Sequence, residues 1–206
     1  MRIAVVGGTG PFGRALAHRL RRAGHDVVVG SRDGDRAREV AAELDVDGAQ
    51  NPEAVRGADL VVLAVNAEAA VQTAKSLARA IGSTALLCVA SELRMSADGA
   101  RPAAEGRSLA ERVDKAVAGP VVAGLHSLAA ATLAGEELPD QDALVCGDDE
   151  LAKEHVLRVA QGLVAGRALD AGPLASARAL EGMTAVIVNV NRRYKAHAGL
   201  RVTGLG

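Results

Sequence analysis

A chain of 206 residues, 49% hydrophobic and 24% charged, carries enough apolar material for one globular domain or two small ones. Its formal net charge of -1 supplies no field that would draw it to nucleic acid or to an anionic membrane surface. Apolar runs such as "LVVLAV" (60–65) and "TAVIVNV" (184–190) fall short of the roughly 20 residues a bilayer demands. The start, "MRIAVVGG", lacks the long apolar stretch and small-residue cleavage site of a signal peptide. Cys88 and Cys146 each sit inside an apolar strand-like run and read as reduced core residues, so a cytoplasmic setting is expected. Phe12 and Tyr194 are the only aromatic residues, so any flat ring bound here must pack on aliphatic walls and backbone.

In chain order, short apolar runs alternate with helical patterns, the signature of βα units around a parallel sheet. A strand at 2–7 leads to a helix at 11–24 with Phe12, Leu16 and Leu20 on one stripe. A second strand at 26–30 precedes a helix at about 33–44. Further strands are read at 58–65 and 84–90, with a helix between them at 68–81. The polar stretch "SADGARPAAEGR" (96–107) reads as a surface loop. A helix at 108–118 opens with a capping box, Ser108 and Glu111, and a strand at 120–125 ends at His126. The last third has strands at 142–147 and 167–172, a helix opened by Asp148 and Asp149, and a long apolar helix at 174–195. The expectation is an α/β fold: a Rossmann-like parallel sheet in residues 1–125, with a smaller C-terminal α/β lobe in 126–206.

Gly8-Thr9-Gly10-Pro11-Phe12-Gly13 matches G-x-G-x-x-G, and it follows the first strand and opens the first helix, where a dinucleotide-binding loop belongs. Gly8 reads as the tight turn, Gly10 as the close approach to a pyrophosphate, and Gly13 as the helix–strand contact. Free amides and the positive helix end then face the phosphates, and Pro11 loses little at a position with no intrahelical partner.

At the end of the second strand stand Ser31 and Arg32, where NAD-binding chains place a carboxylate for the ribose hydroxyls. A hydroxyl that donates and a guanidinium fork match a 2′-phosphate instead, so NADP(H) is the expected dinucleotide. Arg36, one turn on, can close on the same group, whereas Arg38 reads as a solvated helix face beside Asp35 and Glu39. Asp148 and Asp149 read as helix caps, and "DAGP" (170–173) as a turn. His18, His25, His155 and His197 show no ligand spacing, and no metal is expected.

The opening "MRIAVVGGTGPFGRALAHRLRRAGHDVVVGSR", with "VAGLHSLAAATL", "LVCGDDE", "LDAGPLASARALE" and "MTAVIVNVNR", resembles the NADPH-dependent reductases of coenzyme F420, in order and over nearly the whole chain. That resemblance implies direct hydride transfer between NADP(H) and the 8-hydroxy-5-deazaflavin, with no catalytic acid–base residue. It also implies that His126 contacts the deazaflavin, that Thr184 lines the same pocket, and that Val65 and Asn66 shape the nicotinamide side. The chain departs from the family pattern at Asn66 and at "VASEL" (89–93), where prolines are expected, and at Gly182, where a hydroxyl is expected. These departures leave open an NADPH-dependent reductase of another small metabolite, or an NADPH-binding regulator without turnover. A short-chain dehydrogenase is excluded by chemistry: the single Tyr194 has Ala198 four residues on, where a Lys is required. The implied partners are small-molecule coenzymes, and the apolar last helix points to a homodimer or higher homo-oligomer.

Overall fold

The computed structural model describes residues 1–103 and 106–205. In chain order its elements are β1 (Arg2–Val6), α1 (Pro11–Arg22), β2 (Asp26–Ser31), α2 (Gly34–Leu44), β3 (Asp47–Gln50), α3 (Asn51–Ala54), β4 (Leu60–Leu63), α4 (Ala67–Ile81) and β5 (Ala85–Cys88). There follow β6 (Leu93–Ser96), β7 (Gly99–Pro102), α5 (Leu109–Asp114), β8 (Val121–Gly124), α6 (Ala130–Leu133), β9 (Ala143–Gly147), α7 (Glu150–Gln161) and β10 (Ala168–Asp170). A turn of 3-10 helix, Leu174–Ser176, then leads into α8 (Ala177–Tyr194).

Eight strands form one sheet in the order β3-β2-β1-β4-β5-β8-β9-β10. All neighbours are parallel except β8 and β9. The run β3-β2-β1-β4-β5 is the half-sheet of a Rossmann fold, and its ligand crevice lies outside the carboxyl ends of the strands. Strands from beyond residue 125 extend the same sheet. Helices cover both faces, so β1, β2 and β4 read as unbroken apolar runs rather than alternating ones. Each face has its own core, one around Leu16, Leu20, Val29 and Val156, the other around Val61, Leu77, Leu86 and Leu109. Leu16 and Leu20 hold α1 on the sheet, each worth about 1.5–3 kcal/mol by burial.

Two segments depart from the sequence expectations. Within 96–107, read as a surface loop, the chain pairs Leu93 with Pro102 and Ser96 with Gly99 in an antiparallel hairpin, while residues 104 and 105 of that stretch lie outside the described residues. Its polar composition hid it, because its stabilisation comes from α8. The Asn189 side-chain amide accepts from Ala100 N at 2.7 Å and donates to Ala100 O at 2.9 Å, pairing with the hairpin as a further strand would. The second is β3, whose sequence Asp47-Gly-Ala-Gln50 carries no apolar run and is held by register with β2. The short helices α3 and α6 were not anticipated either, and the remaining elements match within a few residues. The Ser108–Glu111 capping box forms, and Asp149 caps α7 while Asp148 accepts from Leu174 N at 2.8 Å. Cys88 and Cys146 are unpaired and buried, and desolvation pushes both thiols up to about 12.

Candidate active site

The glycine loop is shaped by contact as much as by torsion. Gly7, rather than the expected Gly8, takes the left-handed φ of 87°, and a Cβ there would meet Ala64 O at 2.6 Å. Gly8 instead needs space, since its Cβ would lie 2.9 Å from Val5 O. At Gly13 a Cβ would sit 2.3 Å from Gly7 O, so helix and loop meet only without a side chain, where the motif reading has a helix–strand contact. Gly10 caps α1 with no side-chain hydrogen bond, and the first turn holds no acid. Asp33, Ser108 and Asp149 cap α2, α5 and α7, whereas α4 and α8, like α1, have no side-chain cap. The amides of the first turn of α1 therefore lack intrahelical partners and face the crevice, a site made for an anion.

A cavity of about 210 Å3 opens beside this turn, lined by Gly7, Thr9, Gly10, Ser31, Arg32, Asn51, Ala64, Val65, Asn66, Ala69 and Thr73. The Ser31 hydroxyl accepts from Asp33 N at 3.2 Å, which leaves its proton to be donated into the cavity. Arg32 has no ion-pair partner among the described residues and is exposed at the rim. Arg36 is not brought to this wall: it pairs with Glu39 at 2.9 Å, as Arg38 does with Asp35 at 2.6 Å. Asn51 escaped the sequence reading because it follows the unpredicted β3. Its side-chain carbonyl is buried without a partner beside Gly30.

Two further cavities continue the first. One of about 150 Å3 is walled by Gly10, Pro11, Phe12, Ala64, Val65, Asn66, Val89 and Ala90. The next, about 540 Å3, shares Val65, Asn66 and Ala90 and runs to Ser91, Glu92, Leu93, Arg94 and Ala103 on the hairpin side. The three make one crevice along the carboxyl ends of β2, β1, β4 and β5. A separate hollow of about 490 Å3 among Arg21, Asp26, Asp45 and Asp47 lies at the amino end of β2, away from the glycine loop.

At the far end of the crevice, α8 crosses the ends of β5 and β8. The Thr184 hydroxyl donates to His126 O at 3.0 Å and lies 2.7 Å from Ser91 Oγ. One side chain thus ties together three segments distant in sequence. The His126 ring is 6% exposed, and neither nitrogen has a hydrogen-bond partner among the described residues. Burial holds its pKa down to about 4, and the nearby Ala90 carbonyl, outside hydrogen-bond geometry with the ring, offsets this only in part. The ring is therefore neutral at pH 7 and lies near the backbone of Ala90, itself a residue of the crevice wall. Glu181, three residues before Thr184, is also buried and accepts from Leu109 N and Ala110 N at 3.1 Å, fixing α8 against the start of α5.

Comparison with known proteins agrees with this geometry. Residues 2–90 match the family "NADP oxidoreductase coenzyme F420-dependent". An F420-dependent NADP reductase of Methanothermobacter thermautotrophicus is 32% identical over 100% of this chain and 96% of its own length. The chain belongs to the F420-dependent NADP reductase family. A second member, from Methanocaldococcus jannaschii, is 31% identical over 100% of this chain and 99% of its own. The fold is also that of a crystal structure from Arthrobacter sp. FB24, with a TM-score of 0.88 at 24% identity, covering 99% of this chain and 100% of that one.

Against this family frame, the crevice unites Thr9, Gly10, Pro11, Phe12, Ser31, Arg32, Val65 and Asn66 along its walls, with Gly8 and Gly13 shaping the loop behind them. His126 and Thr184 stand together behind its far end. Asn66, where the family pattern predicts proline, is the N-cap residue of α4 without a side-chain cap bond. Thr73 is a wall residue that no local motif announced, and only the i, i+4 spacing of Ala69 and Thr73 on α4 hints at a shared face, whereas Ser91, within the divergent stretch 89–93, lines the wider end of the crevice.

Proposed function

We infer that this protein transfers a hydride between NADP(H) and the deazaflavin coenzyme F420. The observation that carries the reading is the uncapped first turn of α1 opening onto Ser31 and Arg32 at one end and onto an aliphatic slot at the other. Full-length similarity to F420-dependent NADP reductases supports the same pair of coenzymes. The residues fit the first coenzyme: the close contact at Gly13 leaves backbone for a pyrophosphate, and the donor set at the rim is cationic and hydroxylic, with no carboxylate to repel a 2′-phosphate. They fit a second flat ring too, because Val65, Val89 and Ala90 offer smooth aliphatic surface with few polar groups to misplace.

The chemistry, a hydride moving between C4 of the nicotinamide and C5 of the deazaflavin, belongs to the coenzymes. The protein's part is positioning. The α1 amides and Arg32 anchor the adenosine end and its phosphates, while Phe12, Val65 and Ala90 hold the reacting faces together and exclude water. Thr184 fixes the ends of β5 and β8 behind that contact through Ser91 and His126 O. The glycine loop with Ser31 and Arg32 thus serves NADP(H), while the end of β5, the β6–β7 hairpin and α8, from residues 126–206, make the deazaflavin side. Among the described residues no helix is long and apolar enough to cross a membrane. Two unpaired buried thiols fit a reducing, cytoplasmic setting. Self-association is assigned to the side of α8 that exposes Val186 and Tyr194, and light scattering tests it.

Mixing the protein with NADPH and oxidised coenzyme F420 should bleach the deazaflavin absorbance band at the rate that NADPH is consumed. NADPH binding with no change in that band would overturn the reading.

A further inference from the structure

The hairpin β6–β7 has two unlike faces. Antiparallel register sets Met95 opposite Ala100 and Leu93 opposite Pro102 on one, and Arg94 opposite Arg101 and Ser96 opposite Gly99 on the other. On the first face Ala100 and Pro102 lie against α8, while Met95 is 63% exposed. Ala100 is 3% exposed and bonded twice to Asn189, and Pro102 lies against Gly182. Arg192 adds a donor to Ser96 O at 3.3 Å. On the second face Gly99, at the turn end, lies against Asn189, while Arg94 and Arg101 are exposed and Arg94 lines the 540 Å3 end of the crevice.

Two guanidinium groups directly opposite on a two-stranded ladder repel each other and weaken it. Little here relieves that repulsion. Asp98 approaches Arg101 only to 4.0 Å, and Arg94 has no ion-pair or hydrogen-bond partner among the described residues. Of the two acids on this part of the crevice, Glu92 is held by Arg112 at 2.5 Å, and Glu68 stands in the first turn of α4. The braced hairpin therefore presents two like cations, Arg94 in the crevice wall and Arg101 beside it on the exposed face, and the α4 side of the crevice carries a carboxylate. An anion entering between them settles on the hairpin.

We propose that Arg94 and Arg101 dock the anionic side chain of the deazaflavin coenzyme, its phosphodiester and glutamyl carboxylates, while the ring lies in the aliphatic slot. The inference rests on the NADP(H)–F420 reading. Guanidinium forks suit both anions, since each offers paired oxygens to a planar donor set. The site sets which deazaflavin is accepted and how it is oriented, leaving the hydride step to the rings.

The test compares coenzyme F420 with its chromophore alone, the same ring without phosphate or glutamates, at saturating NADPH. The wild-type protein should have the lower KM for the full coenzyme, and raising the salt from 0.05 to 0.5 M, values on the order of those that screen surface charge, should erode that preference. In Arg94→Gln/Arg101→Gln the KM for the full coenzyme should rise about tenfold, bringing the two substrates level, and Arg94→Lys should fall between. NADPH binding, followed by its fluorescence, reports that the variants are folded. A wild-type protein that treats both deazaflavins alike at every salt concentration overturns the proposal, as does a double variant that keeps the preference. Reduction of neither deazaflavin by the wild type defeats the underlying reading as well, so the two failures are told apart.

Discussion

Where the glycine loop meets β2, the crevice wall is mostly backbone, closed by glycines that touch main-chain oxygen. Where α8 crosses β5 and β8, the wall is held by side chains, with Thr184 linked to Ser91 across 93 residues and to His126 across 58. The first end tolerates almost no added atoms. The second end tolerates changes of shape, provided its hydroxyl chain and its neutral buried ring are kept. An invariant part of the substrate pair suits the first kind of wall, and a variable part suits the second.

Substitutions can break that contrast. The largest effect is expected at Gly13→Val: the new side chain must displace Gly7 O, and the protein should lose at least ~3 kcal/mol in urea unfolding together with all NADPH binding. If the 2′-phosphate rests on Arg32, then at Arg32→Asp NADPH affinity by fluorescence titration should fall about 100-fold while NADH affinity changes little. Equal losses for the two would remove the phosphate assignment.

At the other end, His126 gives a pH signature. Its folded pKa of about 4 lies below the ordinary 6.5, so the unfolded chain takes up the proton first. The stability this neutral ring carries is complete above pH 6.5 and is lost as pH falls toward 4, reaching about 2–3 kcal/mol by pH 4.5. Urea unfolding of wild type and His126→Asn at pH 7.5 and 4.5 isolates the term, and the variant should show a shallower acid limb. Thr184→Val should cost about 1–2 kcal/mol and lower kcat for deazaflavin reduction, with Thr184→Ser restoring both. The smallest effect sharpens the contrast within the phosphate end. Arg36→Ala should change NADPH affinity less than about twofold, since that side chain already pairs with Glu39 on an exposed helix face.

The parallel half-sheet, the glycine turn between β1 and α1, and the place of Ser31 and Arg32 at the end of β2 were legible because their requirements are local: apolar runs, glycines at fixed spacing, and a strand end. Gly7 was misplaced by one position, since the motif marks the glycines without saying which takes the left-handed torsion. The hairpin and β3 were illegible because neither has an apolar pattern of its own; one depends on Asn189 and the other on its register with β2. The buried Arg19 illustrates the same limit. Its guanidinium donates to the carbonyls of Leu133, Gly135, Glu136 and Glu137, a clasp between α1 and a segment more than 100 residues away. From sequence it is one more arginine on a helix.

The reversal between β8 and β9 has a consequence for how such chains are recognised. Because β9 runs against its neighbour, Gly147, Asp148 and the start of α7 emerge at the floor of the sheet, opposite the coenzyme crevice. The stretch "LVCGDDE", part of the family resemblance in this chain, is thus joinery: it turns the backbone and seats α7 at the end of the sheet away from the crevice. A lineage can be stamped most visibly on the part of a molecule that does none of its chemistry.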